Sequence, residues 1–89
     1  MDVSRMDIEK LMLELAETGA SALVKCDGER LQQGGDAWTF VVTGGPLKEE
    51  GPVRRDDISL ESSLENGLLA LRDRGPQWHW LDKYLLGEE

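Results

Sequence analysis

Apolar residues recur along this chain with two different periods, and the switches between them mark the elements. Ile8, Leu11, Met12, Leu15 and Ala16 follow the i, i+3, i+4, i+7, i+8 spacing of one helix face, while Asp7, Glu9, Lys10, Glu14 and Glu17 cover most of the rest. Ser4 with Asp7 three residues on forms a variant capping box ahead of this run, and Gly19 ends it with a residue that tolerates a left-handed backbone. Met6 and Leu13 fall off the stripe and are expected at the surface.

The period then shortens to two. Ala20 to Asp27 reads as a strand, with Ala22, Val24 and Cys26 on one side and Leu23 and Lys25 on the other. Gly28 to Asp36 is polar, contains Gly34-Gly35, and is expected as a connection or a ragged hairpin end. Ala37 to Thr43 is the strongest strand: Trp38, Phe40 and Val42 share one face, Thr39, Val41 and Thr43 the other. The link between these strands is too short for a crossover helix, so they are expected to pair antiparallel. Gly44-Gly45-Pro46 is a turn, Leu47 to Gly51 a charged loop, and Pro52 to Asp56 a short third strand at a sheet edge, where proline is tolerated.

Helical spacing returns at Ser59 and holds to Asp73, with Leu60, Leu64, Leu68 and Leu71 as the apolar stripe. Gly67 lies within that stripe. A mid-helix glycine costs roughly 1 kcal/mol relative to alanine, and close approach of the helix to the sheet is the expected compensation. Leu69 points the opposite way. Gly75-Pro76 stops the helix, and a last short helix spans about Gln77 to Leu86. The 89 residues are expected to form one domain, 1–89, of the α+β class: a small antiparallel sheet of two or three strands with helices packed on one face, in the order α-β-β-(β)-α-α. This order is similar to that of the double-stranded-RNA-binding domain as topology only. The basic residues which that module needs are absent, so the likeness implies no RNA-binding function.

Charge changes the picture most. The chain carries 18 acidic and 10 basic residues, a formal net charge of −8. That balance argues against membrane surfaces and against direct nucleic-acid binding, both of which need a basic footprint. It steers the protein instead toward basic partners. Residues 1–19 and 48–65 each carry a net −3, and the other two stretches a net −1 each. Glu49, Glu50, Asp56, Asp57, Glu61 and Glu65 form the densest cluster, interrupted by Arg54 and Arg55. No apolar run approaches the ~18 residues that span a bilayer. With acids at Asp2 and Asp7 and no apolar h-region, no signal peptide is expected. The lone Cys26 makes no internal disulfide and fits a reducing, cytoplasmic setting.

Candidate chemistry is sparse. A Cys26–His79 pair lacks a visible activator for the thiol and an orienting partner for the imidazole. One Cys and one His cannot close a zinc site. Asp57, Glu61 and Glu65, at i, i+4, i+8 and with Asp56 nearby, could face a hard cation, but acids at a helix start are already favoured by its exposed N–H groups. Gly44-Gly45-Pro46 lacks the phosphate-loop pattern. No enzyme activity, cofactor or metal is therefore expected. Arg72 and Arg74 are read as cations favoured at a helix C-terminus.

What remains is surface. On a helix, Trp78, Trp80, Leu81, Tyr84 and Leu85 make an apolar arc about 160° wide, broader than the ~100° stripe a surface helix needs. Either both edges are buried, or a tryptophan with Tyr84 serves as an exposed anchor. The expected function is a non-enzymatic inhibitor of the immunity, antitoxin or phage anti-defence (anti-CRISPR) type. Its acidic patch (Glu49, Glu50, Asp56, Asp57, Glu61, Glu65) and anchors (Leu69, Trp78, Trp80, Tyr84) would cover a basic, nucleic-acid-binding surface of a larger protein, such as a nuclease. The alternative is an accessory module that dimerises through Leu13, Leu69 and the last helix.

Overall fold

Asp7 caps the first helix. Its backbone is extended and its carboxylate accepts the Lys10 N–H at 2.9 Å, so α1 runs Ile8–Glu17. The structure, a computed structural model, describes residues 6–86; Ser4 lies outside them. An aspartate with extended backbone directly before the apolar run satisfies the exposed N–H groups locally.

β1 (Ser21–Cys26) follows, then a short helix α2 (Gly28–Gln32) where a plain connection was expected. Asp27 is the cause: its carboxylate accepts from the N–H groups of Glu29 and Arg30 and pairs with the Arg30 guanidinium at 3.3 Å. β2 (Trp38–Thr43) returns antiparallel to β1, and β3 (Val53–Asp57) pairs antiparallel with β2 as an edge strand. Cross-strand rows put Ala22, Val42 and Val53 together, then Val24, Phe40 and Arg55, on one face. Leu23, Val41 and Arg54, then Lys25, Thr39 and Asp56, share the other. A 3-10 turn, Gly45–Leu47, lies between β2 and β3.

α3 (Leu60–Arg72) is capped by Ser59, whose hydroxyl accepts the Ser62 N–H at 3.0 Å. It packs against β2 and β3, and α1 packs against β1. Leu11 and Leu15 of α1 and Leu64, Leu68 and Leu71 of α3 meet Phe40 and Val42 in one core. At Gly67 the helix backbone lies against the Phe40 ring, the close approach expected from the sequence.

The last apolar segment departs from the expected single helix. Pro76–Leu81 is 3-10, and only Asp82–Leu85 is α-helical (α4). At three residues per turn Trp78 and Leu81 align on one side, and both are buried in the core. Three links hold this segment in place. Arg72 Nη2 bonds Asp82 Oδ2 at 3.2 Å, with Nε on the other oxygen. The Tyr84 hydroxyl donates to Glu14 at 2.7 Å, and Lys83 pairs with the same carboxylate at 2.8 Å. Arg74 donates to the carbonyls of Gly51 and Pro52 and so pins the chain entering β3. Among the described residues no helix is long and apolar enough to cross a membrane.

Candidate protein-binding faces

The six acids singled out from the sequence are not brought to one place. Asp56 and Asp57 are neighbours on a strand, so their side chains leave opposite faces of the sheet. Asp57 lies on the helix side and accepts from Asn66 Nδ2 at 2.7 Å. Asp56 lies on the open side. Glu49 and Glu50 sit before β3, where Glu50 pairs with Arg74 just past the end of α3 at 3.6 Å. Glu61 is in the first turn of that helix, ~20 Å away along its axis. Glu65 lies one turn further in.

Asp56 is the centre of a polar cluster on the open sheet face. The Thr39 hydroxyl donates to its carboxylate, and Arg54 and Arg30 both approach it at 3.3 Å. Thr39, flanked by Arg54 and with Arg30 nearby, holds the Asp56 carboxyl at about 2, below the ordinary 3.8. These contacts occupy the carboxylate within the fold. Asp27 and Asp82 are likewise held down, by Arg30 and Arg72 respectively.

The proposed aromatic anchors also separate. Trp78 is 1% exposed, so its ring belongs to the core. Its Nε1 is buried with no acceptor among the described residues. Trp80 is half-buried, tilted against Trp78 and edge-on to Tyr84. The Lys83 ammonium lies over both outer rings, 5.7 Å from Trp80 and 5.4 Å from Tyr84. Tyr84 is half-buried and engaged with Glu14. Leu69 does reach the surface, at 46% exposure.

The outer side of α1, which the sequence offered only as part of a dimer seam through Leu13, is a second candidate face. Leu13 is 58% exposed there and lines a shallow groove together with Asp7, Glu9, Lys10, Glu14 and Glu17. Glu9 and Glu17 stand one turn to either side of Leu13, so both carboxylates border it. The signal was present: Leu13 off the apolar stripe, with acids at i−4, i+1 and i+4.

His79 and Cys26 are both exposed, and no hydrogen bond joins them among the described residues. No three His, Cys, Asp or Glu side chains among those residues converge to hold a metal ion. No family model, no curated protein and no solved structure matches this chain.

Proposed function

We propose that this protein is a non-enzymatic, acidic, cytoplasmic inhibitor that docks on a basic surface of a larger protein and covers it. The observation that carries the reading is Leu13: a large apolar side chain held in solvent on a capped helix and bordered by Glu9 and Glu17. An apolar side chain within a charged rim follows the apolar-core, polar-rim layout of protein interfaces. The rim's sign selects a basic partner and repels nucleic acid. A surface that itself binds nucleic acid, as on a nuclease, has the matching charge. The acids of the β3–α3 region extend the negative field, although Asp56 is engaged within the sheet.

The test is capture from the native host with wild-type protein and with a Leu13→Asp/Glu9→Lys/Glu17→Lys variant. A basic protein retained by the wild type, released by salt and lost with the variant supports the reading. Equal retention by both overturns it. The exposed Leu69 favours the second reading, self-association. A dimeric mass in solution that Leu69→Asp converts to monomer would establish that module instead.

A further inference from the structure

The two edges of the sheet are finished differently. Asp27 N–H bonds Ala37 O at 2.8 Å, which sets the ladder's parity. In an antiparallel pair, bonded positions alternate, so Lys25, Leu23 and Ser21 bond β2. The N–H and C=O groups of Ala22, Val24 and Cys26 therefore point away from the sheet. Among the described residues no backbone or side-chain group bonds them. On β3 the outward groups belong to Arg54 and Asp56. There the Arg55 guanidinium takes the Arg54 carbonyl at 2.9 Å, and four charged side chains, Arg54, Arg55, Asp56 and Asp57, crowd the strand. Charges on an edge strand block further pairing. β1 has one charge, Lys25, which makes no ion pair among the described residues.

We propose that β1 is a strand-addition site: an extended segment of a partner protein pairs with Ala22, Val24 and Cys26 as a fourth strand. Its alternate side chains are apolar toward α1, and it carries a carboxylate opposite Lys25. α1 packs against β1 on the core face. Glu14 faces α4; Met12 and Ala16, each two residues from Glu14, lie ~160° around the helix. On that flank Met12, partly buried like Ala22 and Val24, and the exposed Ala16 give the incoming strand an apolar side. On the open face Lys25 is a non-bonded position for that strand, where facing side chains come closest and opposite charges pair. A second copy of this chain does not fit. Pairing β1 with its own twofold mate places both α1 helices on one face over strands ~4.8 Å apart, and packed helices need ~8–10 Å.

The site is separate from the Leu13 groove, and its test is separate too. The probe is a capped peptide of alternating valine and threonine with one central glutamate, titrated into the isotopically labelled full chain. The amides of Ala22, Val24 and Cys26 are expected to shift and to gain exchange protection. N-methylation of the peptide at the pairing positions should weaken binding at least ~tenfold. Lysine in place of the glutamate should weaken it, and Lys25→Glu should reverse that preference; Leu13→Asp should leave binding unchanged. No amide shift at millimolar peptide, shifts confined to α1 around Leu13, or indifference to both methylation and the Lys25→Glu exchange would each overturn the proposal.

Discussion

Gly67 of α3 and Phe40 of β2 are in backbone-to-ring contact. A Cβ at Gly67 would fall 3.0 Å from Phe40 Cε2 and nearer still to Cδ2. The ring is fully buried, in one core cluster with Leu11, Leu64 and Leu68. Two effects then oppose one another in Gly67→Ala. Helix propensity gains about 1 kcal/mol, whereas overpacking a tight core loses about 1–3 kcal/mol. We expect net destabilisation of about 1 kcal/mol, a fall in Tm of about 4–8 °C for a domain of this size. Phe40→Leu should make Gly67→Ala less harmful or favourable, and a thermal-melt mutant cycle measures this. A more stable single variant would show that the ring can move.

That contact was legible because a glycine inside an apolar helix stripe gives up both propensity and buried surface, a loss that close approach of a neighbouring group offsets. The ends of α3 were legible for a related reason: Ser59 is a side-chain cap and Gly75-Pro76 a stop. Other features lacked a local signal. α2 is five residues long with no buried residue, so only Asp27 marked it. The 3-10 geometry of Pro76–Leu81 replaced an α-helical wheel, which drew Trp78 and Leu81 inward. The acidic cluster misled most. Closeness in sequence becomes closeness in space on one helix face, but on a strand successive residues part, and Asp56 and Asp57 did. Leu13 was visible as an exception to a pattern, though its meaning depended on which flank of α1 the last helix would cover.

Asp56 gives the fold an acid limb. Its carboxyl is held at about 2 in the folded protein by Thr39, Arg54 and Arg30, against an ordinary 3.8. A depressed folded pKa contributes stability that is full above pH ~4 and is lost as pH falls through about 2. Asp56→Asn should therefore lower stability at pH 5 to 7, and the gap to wild type should close between pH 4 and pH 2. Denaturant melts at stepped pH read this directly. A gap that stays constant down to pH 2 would mean that the network does not depend on the charge.

The two sides of β1, one bonded to β2 and one unpaired among the described residues, predict an alternating exchange pattern in the free protein. The amides of Leu23 and Lys25 bond β2 and should exchange slowly, while those of Ala22 and Val24 face outward and should exchange much faster. Val24→Pro removes an N–H outside the ladder, so the sheet should survive it, whereas Leu23→Pro should unfold the protein. Equal protection along β1 would contradict the assigned parity.

Tyr84 is the chain's single tyrosine, so alkaline titration at 295 nm reads one group. Burial raises the phenol above its usual value of 10, and the hydrogen bond it donates to Glu14, with that carboxylate's charge, raises it further. Glu14 is lowered in return by Lys83 and by Tyr84. A raised phenol means stability present below pH ~10 and lost as pH rises above it. Glu14→Gln should shift the Tyr84 titration downward while leaving most of the burial effect. Tyr84→Phe should cost about 1 kcal/mol, the usual size of one hydrogen bond, and abolish the alkaline limb. Because this bond joins α1 to α4, Trp80 emission should respond to either variant. A Tyr84 that titrates near 10 in the folded protein would place its hydroxyl in water and undo the link between the two helices.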